Sequence, residues 1–296
     1  MTLDAELRSR AARVGDDPEL RRRYEAWQQS LTDSERAVLA QVFLADEDQY
    51  FPSARPKQQP PPGDWQIWVI LAGRGYGKTR CGAEWIVQQA DDHVGEFVVL
   101  AETFAKGRDI CFEGLGDNGG PAGILSVLRR RGRDDEAATW NRSLGECHLR
   151  NGSMLKLLTG EKPDAPRGWN LAGAWADEFA AWRYPQTFDQ LLLALRMGER
   201  PRVLVTTTPK PTVAVRDLVE RERSGDPAIV ITRGSTQENA ENLSQFALAE
   251  LERRYGGTRL GRQELEGELL EDVEGACGSE RGSTWRACGI CRATVW

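Results

Sequence analysis

Leu71-Ala72-Gly73-Arg74-Gly75-Tyr76-Gly77-Lys78-Thr79 is the stretch on which the fold turns. Before it, Gln66 to Ala72 is apolar and β-rich, with Trp68, Val69 and Ile70 placed as a buried strand. After it, Lys78 to Ala90 has the spacing of a helix, with Ala83, Ile86 and Val87 on one face. A glycine-rich turn between a buried strand and a helix is a phosphate-binding loop. Its main-chain N–H groups point inward and the positive end of the helix reinforces them. Glycines serve there because a Cβ would block the approach of backbone to phosphate or the turns with positive φ. In such a loop Lys78 reaches the β- and γ-phosphates and the Thr79 hydroxyl ligates Mg2+. One position departs from the general pattern: Ala72 stands where the first glycine would, a place that tolerates a Cβ if φ is negative.

Further strands and helices alternate outward from this loop. Glu96 to Ala101 is a second buried strand, and Leu171 to Ala176 and Val203 to Thr207 are two more. Glu146 to Arg150 and Ser153 to Leu158 form short strands joined by Asn151-Gly152, a two-residue hairpin signal. Pro185 to Met197 and Thr212 to Arg223 have helical patterns and sit between strands. Alternation of this kind predicts an α/β protein of the P-loop NTPase type, its mainly parallel central sheet flanked by helices.

Residues 1–50 read as a helical N-terminal extension, since Leu20, Tyr24, Trp27, Leu31, Val38, Leu39, Val42 and Phe43 recur at three- and four-residue spacings from Pro18 to Ala45. The proline-rich connector Arg55 to Asp64 cannot continue a helix and is expected to run extended over the surface. Residues 51–275 are then the P-loop ATPase domain, and 276–296 an irregular tail. The chain has 296 residues, a net charge of −6 and no long apolar run, which excludes a basic-coated protein and predicts no membrane span. Arg21, Arg22 and Arg23 fall where a secretory leader would be apolar, so a cytoplasmic protein is expected. Cys81, Cys111 and Cys147 read as buried free thiols.

Two acids end one of the strands. In Leu171-Ala172-Gly173-Ala174-Trp175-Ala176-Asp177-Glu178, Asp177 is placed to hold Mg2+ through water, and Glu178 to orient and deprotonate the attacking water. Thr206, Thr207 and Thr208 end the next strand before Pro209, where a hydroxyl can sense a γ-phosphate. The run Arg129-Arg130-Arg131-Gly132-Arg133 is followed at once by Asp134, Asp135 and Glu136, which favours a solvated helix end over a DNA-binding patch.

Together these stretches resemble the large terminase subunit of tailed bacteriophages and of related gene-transfer particles. The resemblance rests on Gly73 to Arg80, on Arg167-Gly168 and Trp175 to Glu178, and on Thr206 to Pro209. Thr232 to Thr236, Tyr255 to Arg259 and Gln263 to Glu268 extend it, so that it covers roughly residues 35 to 276. It implies an ATP- and Mg2+-dependent motor that drives double-stranded DNA into a procapsid. The implied partners are the portal, a small terminase subunit and further copies of the chain in a pentameric ring. By position it implies nucleotide contacts from Gly73, Gly75, Tyr76, Gly77, Lys78, Thr79 and Arg80, with Gln59, or alternatively Gln58, at the adenine. It implies that Arg74 acts on the γ-phosphate, that Thr206 to Thr208 couple hydrolysis to movement, and that Arg167 is a lid or neighbour-facing arginine.

Family members continue into a metal-dependent nuclease. Here Cys277 to Trp296 carries no acidic cluster and no periodicity, as a segment read out of frame after an indel would, so no nuclease activity is expected. Cys288-Gly289-Ile290-Cys291 suggests zinc, but with Cys277 it still lacks a fourth ligand nearby. Two other functions stay open on the sequence: a helicase-like or repair ATPase, and an inactive remnant.

Overall fold

The computed structural model describes Thr32, residues 54–114 and residues 122–270. The helical extension expected over residues 1–50 and the tail from 276, with Cys277, Cys288 and Cys291, lie outside the described residues.

Seven strands make one sheet: β1 (Ile67–Ala72), β2 (Glu96–Ala101), β3 (Glu146–His148), β4 (Met154–Thr159), β5 (Gly173–Asp177), β6 (Arg202–Thr207) and β7 (Ile229–Gly234). Their spatial order is β3-β4-β2-β5-β6-β1-β7, and all neighbours run parallel except β3 against β4. The α/β expectation therefore holds. All six residues of β1 are buried, as a strand covered on both faces requires. Trp68 and Ile70 pack on one face under α1 (Lys78–Asp92) and α2 (Ile124–Arg130), with Trp85, Ile86, Val127 and Leu128. Ile67, Val69 and Leu71 pack on the other, against α3 (Gln186–Ala194) and α4 (Val213–Arg223), through Leu191, Val215 and Leu218. The period of two along β1 thus sorts its side chains between two cores. Two further helices, α5 (Gln245–Tyr255) and α6 (Arg259–Glu264), follow β7.

Three details differ from the sequence expectations. The β3–β4 hairpin is not closed by a two-residue turn. Gly152 N donates to Leu149 O and Leu149 N to Ser153 O, with Gly152 at φ +91°. Asn151 does not take a positive φ, so the loop is a three-residue turn with left-handed glycine at its end. Strand β7, part of a stretch known from the sequence only as a motif, pairs with β1 along its length. The arginine run does end a helix, with Arg129 exposed, but Arg131 and Arg133 are drawn into ion pairs. Arg131 bridges Glu84 and Asp91, and Arg133 bridges Asp91 and Glu136, bracing α1 from the side.

Cys81, Cys111 and Cys147 are buried free thiols, as expected. Among the described residues no helix is long and apolar enough to cross a membrane.

Candidate nucleotide site

The carboxyl ends of β5, β6 and β1 meet at one edge of the sheet, because parallel pairing sets Asp177 opposite Thr206 and Leu71 opposite Thr207. The loop from Gly73 to Gly77 leaves β1 at that edge and feeds straight into α1. Strand β6 stands between β1 and β5, so Thr206, Thr207 and Thr208 lie between the loop and the acid pair.

Lys78, on the first turn of α1, turns back beneath the loop. Its Nζ donates to Ala72 O and Gly73 O, each at 3.0 Å, and lies 3.9 Å from Glu178 Oε1. It is only 7% exposed, and burial lowers its pKa while Glu178 and Asp177 hold it up. A buried ammonium bonded only to carbonyl oxygens, with carboxylates nearby, is poised to accept an anionic ligand.

Asp177 is buried. Its Oδ1 accepts from Thr206 Oγ1 at 2.8 Å, its Oδ2 from Cys111 Sγ at 3.4 Å, and its main-chain oxygen from Trp182 Nε1 at 2.9 Å. Thr206 in turn accepts from Trp175 Nε1 at 2.8 Å. Burial, with help from Glu178, pushes the Asp177 carboxyl up to about 6, against the pull of Thr206, Cys111 and Lys78. Cys111 comes from a π-helical stretch, Gly107–Phe112, and its contribution was not visible in the sequence. An acid held in place yet short of countercharge suits a divalent cation. Among the described residues no cluster of three or more His, Cys, Asp or Glu could hold one. Mg2+ is held by one or two carboxylates with water and phosphate oxygens rather than by a protein cage. Asp177, buried at this sheet edge, is the carboxylate whose setting fits it.

Glu178 has φ 45° and ψ 46°, the one non-glycine residue with positive φ among the described residues. Such backbone costs about 1–3 kcal/mol and gathers at functional sites. Here it turns the carboxylate outward, 41% exposed, where Oε2 accepts from Thr208 Oγ1 at 3.0 Å. Thr207 Oγ1 accepts from Ala180 N at 3.0 Å. The three threonines are thereby tied separately to Asp177, to the turn after it, and to Glu178.

The remaining expected residues have other partners. Gln59 does not face the loop; its Nε2 donates to Ala54 O at 3.0 Å. A 3-10 turn over Pro56–Gln58 rotates Gln58 inward instead, where its Nε2 donates to Tyr76 O at 3.3 Å. The connector is therefore partly built into the site rather than merely draped over the surface. Arg74 is 60% exposed and its Nε donates to Glu264 Oε2 at 2.6 Å, a bond that raises its pKa. Arg80 reaches along α1 to Glu84 at 2.5 Å. Arg167 is 76% exposed, with Asp164 at 3.9 Å, and lies in the loop before β5. Sequence reasoning did not anticipate Arg55, Asn239 and Glu264, which all touch the loop.

A glycine-rich loop, a lysine beneath it and a strand-end acid pair, gathered at the carboxyl edge of a parallel sheet, define a P-loop NTPase. The model of the family "Terminase large subunit, T4likevirus-type, N-terminal" matches residues 69–287, and the chain belongs to that family. Among solved structures, it resembles the large terminase of the thermophilic bacteriophage D6E in complex with ADP, with TM-score 0.56 and 14% identity over 78% of this chain and 52% of that one. The D6E protein in complex with ATP-γ-S gives TM-score 0.52 and 13% identity, with the same coverage. The ATPase domain of the Thermus phage P74-26 large terminase gives TM-score 0.51 and 14% identity, over 72% of this chain and 95% of that one. At such identities the likeness is one of fold. The chain matches 52% of the length of the D6E protein. No curated protein matches it.

Proposed function

We propose that this chain hydrolyses ATP with Mg2+ to drive double-stranded DNA into a procapsid, as the motor half of a packaging terminase. The observation that supports this is the approach of Lys78, buried beneath a glycine-rich loop, to Glu178 and Asp177, in a chain of the terminase family. In this reading the loop from Gly73 to Gly77 and Lys78 bind the β- and γ-phosphates. Thr79 and Asp177 would hold Mg2+, which would supply countercharge to the phosphates. Glu178 accepts a proton from the attacking water, and Thr208 steadies it until nucleotide arrives. Gln58 takes the place first expected of Gln59 beside the base. Arg74 exchanges Glu264 for the γ-phosphate, so that hydrolysis is felt at α6. Thr206 to Thr208 carry the change from Asp177 and Glu178 into β6. Arg167, exposed on the rim, faces a neighbouring copy in a pentameric ring. The portal and a small terminase subunit complete the assembly, which works in the host cytoplasm. Residues 51–275 form the ATPase domain.

The test is ATP hydrolysis by the purified chain with and without double-stranded DNA. DNA-stimulated turnover is expected, and Lys78→Ala should abolish both turnover and ADP binding. Undiminished hydrolysis in Lys78→Ala would refute the site. Strand separation by the chain would instead favour a helicase-like enzyme.

A further inference from the structure

Three successive carbonyl groups of the phosphate loop are held from outside it. Thr236 Oγ1 donates to Arg74 O at 2.6 Å, and Asn239 Nδ2 donates to Gly75 O at 2.6 Å. Tyr76 O accepts from Arg55 Nη2 and, at 3.3 Å, from Gln58 Nε2. The donors come from both ends of the described chain and converge on one short turn. Around Gly77, a Cβ would lie 2.9 Å from Gln58 Nε2, 3.8 Å from Arg55 Nη2 and 4.0 Å from Asn239 Nδ2.

The peptide bonds are trans, so each C=O and the N–H that follows it point in opposite directions. Holding the oxygens of Arg74, Gly75 and Tyr76 outward therefore turns the N–H groups of Gly75, Tyr76 and Gly77 inward. Turned the other way, such a peptide unit would present an oxygen, not an N–H, to the phosphates. The oxygen of the Gly75–Tyr76 unit is held by Asn239 alone among the described residues.

Asn239 is itself fixed for this task. It lies in the 3-10 segment Thr236–Asn242 but leaves helical geometry, at φ −115° and ψ 15°. Its Oδ1 accepts from Arg55 Nη1 at 2.8 Å and from Asn242 Nδ2 at 3.0 Å. Two donors on the oxygen leave only the amide nitrogen to face Gly75 O, which determines which way the side chain is turned. A capping box between Ser235 and Glu238 anchors the start of the segment, and Lys57 ties Glu238 to the connector at 3.0 Å.

We propose that Asn239, oriented by Arg55, is a positioning residue that holds the Gly75–Tyr76 peptide unit with its N–H toward the bound polyphosphate. This rests on the nucleotide-binding reading above. It makes the segment after β7 part of the phosphate cradle, although its own side chains need touch no phosphate.

Calorimetric titration of the full chain with ADP and with inorganic pyrophosphate tests this, alongside thermal melts without ligand. Asn239→Ala, which changes no charge, should weaken both ligands about fivefold, the net worth of one hydrogen bond. Asn239→Asp keeps the acceptor for Arg55 but sets a carboxylate oxygen against Gly75 O. It should weaken both ligands more than alanine does, while melting no lower than Asn239→Ala. If Asn239 served only to brace Arg55, the order would reverse, because aspartate pairs with arginine better than asparagine does. Affinity in Asn239→Asp equal to wild type, or affinity unchanged in Asn239→Ala, would overturn the proposal. Lys78→Ala separates the two levels. Loss of ADP binding there, with Asn239→Ala unaffected, sinks the positioning role alone, whereas retained ADP binding in Lys78→Ala sinks the nucleotide reading itself.

Discussion

Replacing Thr206 by valine keeps the shape of a fully buried side chain and removes its hydroxyl, the joint between Trp175 and Asp177. Two bonds go. The indole N–H of Trp175 is left without its acceptor in the core, a cost of about 1–3 kcal/mol. Asp177 loses a hydrogen bond to a charged group, worth about 1.5–3 kcal/mol. The extra methyl returns about 0.8 kcal/mol of apolar burial. The net loss is then about 3 kcal/mol, which in a domain of this size lowers the melting temperature by roughly 10 °C. Thr206 also favours the ionised form of Asp177, so its loss raises a carboxyl that already stands at about 6. Mg2+-dependent nucleotide binding should accordingly need a higher pH than in the wild type. Thermal melts and titrations with ADP in the presence of Mg2+, from pH 5 to 8, read both effects, and Thr206→Ser should restore both. A valine variant as stable as the wild type, with an unshifted pH dependence, would refute this account of the Trp175-Thr206-Asp177 chain.

Glu178→Gln should still bind ATP but hydrolyse it about 10²–10⁴-fold more slowly, as measured by phosphate release; a normal rate would remove Glu178 from the role of base. The folded pKa of Asp177 lies above that of an unfolded aspartate, so without nucleotide the fold loses stability as pH rises from about 4 to about 6. Mg2+ requires the ionised form, so Mg-ADP affinity in the wild type should climb through about pH 6 and level off above it, a step absent in Asp177→Asn; a flat wild-type profile would contradict the shift. Gly82→Ala would place a Cβ 2.1 Å from Trp175 Cε2, a clash that the gain of about 1 kcal/mol in helix propensity does not offset. Urea unfolding should show a net loss of about 2 kcal/mol, and a stabilised variant would show that α1 does not rest on Trp175 as described.

The parts of the site legible in the sequence are those made by neighbours along the chain. A buried strand, five residues of loop and an amphipathic helix form one continuous unit from Ile67 to Asp92, and period and glycine spacing reveal it. Asp177 and Glu178 were legible for the same reason, at the end of an apolar run. Strand β7 is harder to read, although Ile229-Val230-Ile231-Thr232 is β-branched and follows Asp226-Pro227. Its burial alternates imperfectly, so period alone does not mark it as a core strand. Which of Gln58 and Gln59 reaches the phosphate loop depends on a single 3-10 turn, because adjacent residues differ only in the direction that local geometry sends them.

By itself, then, the amino-acid order determined a P-loop unit, an acid pair and a threonine-ended strand, each specified by local periodicity and steric rules. Only the tertiary structure decided that β6 lies between β1 and β5, which puts the threonines against both acids. It alone brought Glu264 to Arg74 across 190 positions and Asn239 to Gly75 across 164. Contacts at such separations follow from the order in which strands pair and from where the chain returns. No local period encodes that order, since it emerges only when both faces of the sheet are buried together.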